Sequence, residues 1–242
     1  MRRSTASRSS VPKMPKAGGS NDYSNESVRP LVMLAFLVPF VLIHEVGVRL
    51  YHTEVAAFTI ISRLMANVGL YGRGVPPLLL ILTLLAWHLW RRDRWSVSAR
   101  VLAGMAGESL LFAFPLFGIS YLCHSFLPLV VANRHGLGSM WALSLGAGVY
   151  EELVFRLYLC TLLSLIAQSV FALKGMACTV TVVVVCSVLF SLYHYMGEEH
   201  FTLFGFVFRA LAGGYFAALL AVRGYGITAG AHAFYDVIVV SL

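Results

Sequence analysis

Glu151-Glu152-Leu153-Val154-Phe155-Arg156 lies inside one of the most apolar regions of this 242-residue chain, the run from about Ser139 to Phe171. An ionised side chain at mid-bilayer costs about 2.5–3.5 kcal/mol on insertion scales, so three of them within six residues imply a use. On a helix, Glu152 and Arg156 share one face at i,i+4 and can neutralise each other. Glu151 points about 100° away and is left to serve something else. One glutamate is therefore read as paired and structural, the other as available for general acid–base work.

Two later apolar stretches each bring a histidine: Phe190-Ser191-Leu192-Tyr193-His194 and His232-Ala233-Phe234-Tyr235-Asp236. Phe190 sits one turn before His194 and would wall its ring. Asp236 sits one turn after His232 and would orient its imidazole if the side chains meet. Glutamate, histidine, histidine and aspartate converging in a membrane point to a hydrolytic site.

The rest of the chain supplies the membrane. It is 59% hydrophobic and 12% charged, with mean hydropathy +0.79. Soluble domains are about 45–50% apolar and about 25% charged, so the expectation is a polytopic membrane protein. The net charge of +7 is concentrated outside the apolar runs. Arg2, Arg3, Arg8, Lys13, Lys16 and Arg29 stand against Asp22 and Glu26 in residues 1–30, and Arg91, Arg92 and Arg94 against Asp93. Basic segments of this kind set orientation and touch anionic lipid; they are not a nucleic-acid signature. Cys123, Cys160, Cys178 and Cys186 are scattered singly through apolar runs without a CxxC pair, and are read as small buried hydrophobes.

Residues 1–30 are too polar to bury anything and read as a disordered basic tail. Seven spans follow: Leu31–Val48, one from Pro76 and Pro77 to Trp90, Val101–Ala132, Ser139–Phe171, Met176–Tyr195, Leu203–Val222 and Gly226–Leu242. Between the first two, Val55, Phe58, Ile61, Met65 and Val68 recur at helical spacing with Glu54, Arg63 and Asn67 among them. That pattern predicts an amphipathic interfacial helix. The expected fold is all-α: a bundle of about six to eight helices enclosing a polar intramembrane cavity. Residues 31–138 would be N-terminal membrane helices and 139–242 the core that carries the site. The basic bias places the N-terminus in the cytoplasm of a multi-pass, plasma-membrane protein.

The remaining polar groups have simpler readings. His44, His52, His88, His124, His135 and His200 are read as cap, interface or loop residues. Gly146, Gly148, Gly205, Gly213 and Gly214 read as helix-packing positions. Glu198-Glu199-His200 reads as a solvated loop with some attraction for a divalent cation. Glu108 and Arg209 fall within spans and belong to no motif.

Together the three elements resemble the CPBP family of intramembrane proteases, which includes the CAAX-prenyl-protease, Abi and bacteriocin-processing types. Its signature is EExxxR, FxxxH and HxxxN or HxxxD on separate helices. Here these are Glu151-Glu152-x3-Arg156, Phe190-x3-His194 and His232-x3-Asp236, in the family's order. The resemblance implies an intramembrane endopeptidase acting on a membrane protein or peptide, lipidated or not. Glu151 and His194 would activate a water, and His232 with Asp236 would stabilise the oxyanion. Glu152, Arg156 and Phe190 would support them. The family's commonest residue at the last position is Asn; an ionised Asp would repel an oxyanion, so Asp236 is expected to act through His232 or as the neutral acid. Glu151, His194 and His232 are also a possible ligand set for a divalent metal such as zinc, and the sequence does not decide between the two.

Other membrane-protease patterns fit worse. His44-Glu45 is followed by Val46, Gly47 and Val48 and makes no HExxH helix; Gly138-Ser139 lacks the glycine of a rhomboid-type serine site; no GxGD is present. Two rival functions remain: a non-catalytic immunity or partner-binding protein of the same fold, and a proton- or ion-coupled transporter.

Overall fold

A computed structural model of the chain describes residues 20–52, 56–67, 69–72, 74–123, 136–196 and 200–242. These are helices joined by turns, with no strand among the described residues. They comprise α1 (Ser20–Ser27), α2 (Pro30–Tyr51), α3 (Ala56–Ala66), α4 (Val75–Arg91), α5 (Ala99–Leu122), α6 (Leu137–Glu152), α7 (Cys160–Ser169), α8 (Gly175–Tyr193) and α9 (Leu203–Ser241). A π-helical stretch, Leu153–Leu159, joins α6 to α7, and a 3-10 turn, His194–Met196, extends α8. Pro30 opens α2 and Pro76 with Pro77 opens α4, where a missing N–H costs nothing.

α6 is the central helix. Nearly all of it from Ser139 to Glu152 is buried, and it lies between α2 and α9. Val149, Tyr150 and Leu153 pack into one core with Met33 and Leu37 of α2, Leu84 of α4, Met105 of α5 and Ile227 of α9. Small residues bring the backbones together: a Cβ on Gly148 would lie 2.5 Å from the backbone nitrogen of Ala233. At Gly146 a Cβ would meet the His44 ring. That imidazole bonds the Ala142 carbonyl at 2.9 Å, so His44 is a helix-interface residue.

The outside of the bundle is apolar. Leu42, Ile43, Val46 and Leu50 on α2, Leu111 and Phe114 on α5, and Leu162 and Leu165 on α7 are all exposed. Such a surface suits lipid. Four helical segments are long and apolar enough to cross a membrane: Pro30–Tyr51, Ala99–Leu122, Gly175–Met196 and Leu203–Ser241. The molecule is an all-helical integral membrane protein.

α9 contains the sixth and seventh expected spans in one element. Straight, its 39 residues would extend about 58 Å, nearly twice the hydrocarbon thickness. It instead folds back at Gly224, whose φ of 77° and ψ of 175° suit glycine alone. Two antiparallel arms result, 203–223 and 225–241. Phe216 stacks on His232 with centroids 4.6 Å apart, and Phe208 meets Tyr235 at 6.2 Å.

Several expectations shift. The tail is not structureless throughout: Ser20–Ser27 is helical because its polar groups find partners on α5 and α9. Tyr23 donates to Glu108 at 2.6 Å, and Arg223 donates to the same carboxylate at 2.5 and 2.7 Å. Arg223 also reaches Ser24 and Ser27. This assigns a partner to Glu108, which the motifs left without one. Burial and the bond to Glu108 push the Tyr23 hydroxyl up to about 12, so it stays a donor. Arg209 lies over the Tyr195 ring at 5.2 Å. The helix expected here forms as α3, with Ile61 buried and Arg63 exposed; Glu54, Val55 and Val68 lie outside the described residues. So do residues 1–19, His124, His135, Glu198 and Glu199, and the last part of the third expected span.

Candidate active site

The site forms where the C-terminal ends of α6 and α8 meet the second arm of α9. Glu151 and Glu152 close α6, just before the backbone widens into the π-helical stretch; such bulges recur at functional sites. Glu152 and Arg156 are both fully buried and face each other, Nε to Oε2, at 3.1 Å. That contact is off the line of a good hydrogen bond. The guanidinium lies over the Phe190 ring at 4.4 Å and near Phe216 at 5.7 Å. Charge pairing and two aromatic faces accommodate the arginine.

α8 delivers His194. Its Nδ1 bonds the Phe190 carbonyl at 2.8 Å, and a carbonyl can only accept, so Nδ1 carries the proton. Nε2 then presents a lone pair toward Glu151 Oε2, 3.8 Å away. The Phe190 ring meets the imidazole edge-on at 4.9 Å. The wall expected from FxxxH is therefore present.

The second arm of α9 delivers His232 and Asp236. His232 Nδ1 lies 2.9 Å from Glu152 Oε1. Its Nε2 lies 3.4 Å from Asp236 Oδ2 and 3.9 Å from Glu151 Oε2. Asp236 does meet His232, but the nearer carboxylate is Glu152. Glu152 thus faces two ways, toward Arg156 with one oxygen and toward His232 with the other, and its bond directs Nε2 at Glu151.

Glu151, Glu152, Arg156, Phe190, His194, His232 and Asp236 are all brought together, from positions up to 85 apart in sequence. Glu151 Oε2 stands at the centre, nearly equidistant from the Nε2 atoms of both histidines. Two neighbours escaped the motif reading. Phe216 stacks on His232, which only the fold-back of α9 allows. The Tyr193 hydroxyl points at Glu151 Oε1 from 3.5 Å; its place beside His194 was the one clue. Among the described residues no three His, Cys, Asp or Glu side chains converge closely enough to hold a metal ion as they stand.

Carboxylates and imidazoles thus share one focus on an all-helical membrane scaffold. Residues 133–238 match the family described as type II CAAX prenyl endopeptidase, Rce1-like. The match supports a CAAX-type endopeptidase domain at the level of the family. The match contains all seven site residues and leaves residues 1–132 outside it. No curated protein and no solved structure matches the chain.

Proposed function

We propose that the protein is an intramembrane endopeptidase that hydrolyses a peptide bond of a membrane-associated substrate with water activated by Glu151 and His194. The observation that carries this is the position of Glu151 Oε2, 3.8 Å from His194 Nε2 and 3.9 Å from His232 Nε2. These gaps are too long for direct hydrogen bonds, and a water seated to one side can bond Glu151 Oε2 and a histidine Nε2 at once.

Glu151 accepts the water's proton while His194 Nε2 aligns the attacking oxygen. As the tetrahedral centre forms, His232 in its doubly protonated form donates from Nε2 to the oxyanion, held by Glu152 at Nδ1. Asp236 works through His232 rather than on the oxyanion, in keeping with its 3.4 Å approach to Nε2. Glu151 then returns the proton to the leaving amine. Glu152 with Arg156 and Phe190 holds the frame. The substrate class follows the family name: a protein C-terminus bearing a prenylated CAAX cysteine. The basic loop at Arg91, Arg92 and Arg94 supports a cytoplasmic N-terminal side, at the plasma membrane.

The test is cleavage of a prenylated CAAX peptide, and of its unprenylated form, by detergent-purified wild type and Glu151→Gln, with and without a chelator. Wild-type cleavage should fall about 10²–10⁴-fold in the variant. Equal cleavage by a folded Glu151→Gln would sink the proposal. Chelator sensitivity would bring a metal to Glu151, His194 and His232.

A further inference from the structure

Two of the four cysteines touch. Cys160 Sγ and Cys186 Sγ lie 2.6 Å apart, across the packing of α7 on α8. Both are free thiols. Cys160 follows Arg156 by four residues and Cys186 precedes Phe190 by four, and Arg156 lies over Phe190 at 4.4 Å. The thiol pair is therefore the next rung of the same ladder that frames the site.

Access differs between the two. Cys186 is buried, with its sulfur also near the Phe155 carbonyl at 3.7 Å. Cys160 is half-buried and lines a cleft of about 430 Å³ between α7, α8 and the first arm of α9. The cleft runs past Ser164, Gln168 and Cys178 to the exposed Lys174 at the α7–α8 turn. It is a route for a small solute to one sulfur and not the other.

We propose that Cys160 and Cys186 form a dithiol site that a small uncharged peroxide converts to a disulfide, stapling the Arg156 stretch to the helix that carries His194. The Cys160 thiolate attacks the peroxide oxygen, giving a sulfenic acid and releasing hydroxide. Cys186 sulfur then displaces that hydroxyl. In total, two thiols and one hydrogen peroxide give one disulfide and two waters: sulfur loses two electrons and the O–O bond takes them. The side chains already point at each other, so bonding needs no large backbone movement.

The experiment uses the full chain in detergent micelles, fully reduced and then exposed to hydrogen peroxide or buffer, alkylated with N-ethylmaleimide, digested and weighed. Peroxide should yield one linked peptide pair, Cys160 with Cys186, lighter by two hydrogens, while Cys123 and Cys178 are alkylated. Cys160→Ala and Cys186→Ala should each abolish the linkage, and Cys178→Ala should leave it. The linked protein should also unfold at a higher temperature than the reduced one. Cys160 and Cys186 both alkylated after peroxide, Cys160 over-oxidised without linkage, or linkage to Cys178 instead would each overturn the proposal. An unchanged unfolding temperature would overturn the staple. None of these readouts depends on peptide cleavage.

Discussion

Two polar clusters sit in this bundle, one half-buried and one buried, and both tie a carboxylate of one helix to a basic group on α9. In the first, Glu108 receives Tyr23 at 2.6 Å and Arg223 at 2.5 and 2.7 Å. Every contact is at hydrogen-bond length, and three of the carboxylate's roughly four acceptor positions are taken. In the second, Glu151 faces Tyr193, His194 and His232 at 3.5, 3.8 and 3.9 Å. Opposite charges are present there too, but the distances leave the groups under-used. The well-bonded cluster acts as a fastener, and under the proposed function the looser one is the workplace. Composition alone would not separate them, since each contains a carboxylate and a cationic side chain within apolar helices.

The comparison breaks most visibly at Glu152, which belongs to the second cluster yet behaves like the first. Glu152→Ala strands Arg156 and releases His232, and should cost about 3–5 kcal/mol of stability. Thermal unfolding in detergent checks it; an unchanged Tm would place Glu152 with the idle groups. Glu108→Ala comes next, expected to lower stability by about 1.5–3 kcal/mol through lost bonds to a charged partner. Cleavage per folded molecule should stay within about twofold, and a collapse of activity at normal Tm would erase the distinction between fastener and workplace.

Gly148→Ala probes the spacing between them. Its new Cβ meets the Ala233 backbone at 2.5 Å, beside His232, so overpacking should cost about 1–3 kcal/mol. Because the shift moves His232 away from Glu152, activity should fall by more than stability explains; a fall in Tm alone would argue that the site tolerates looser geometry. The smallest effect belongs to Tyr23→Phe, about 0.5–1.5 kcal/mol. Tyr23 carries a folded-state value of about 12 against 10.0 ordinarily, so its neutral form is the one the fold favours. The wild-type advantage is therefore fully present below about pH 10 and fades as pH climbs through 12. An advantage that grows with pH would contradict the bond.

Much of this architecture was legible. Hydrophobic run lengths placed α2, α4 and α8 and the two arms of α9 near their observed bounds. The i,i+4 spacing of Glu152 and Arg156 gave their pairing. The motif order gave the residues that converge. What stayed hidden depends on contacts between distant segments. Phe216 is an ordinary apolar residue until Gly224 reverses the chain and lays it on His232. Glu152's second partner is 80 residues away, so no local pattern announces it. The π-helical stretch leaves no periodic signal over seven residues. The helix at Ser20–Ser27 is stabilised by Glu108 and Arg223 rather than by its own polar sequence.

The reversal at Gly224 also sets a clock. A ribosome adds about 5–20 residues per second, so roughly 4–17 s separate the synthesis of Glu152 from that of Asp236. Until Phe190 to His194 are made, about halfway through that interval, the growing chain has Arg156 as the two glutamates' only companion from the later ensemble. The cluster around Glu151 stays unfinished until the returning arm brings His232 and Asp236 to it.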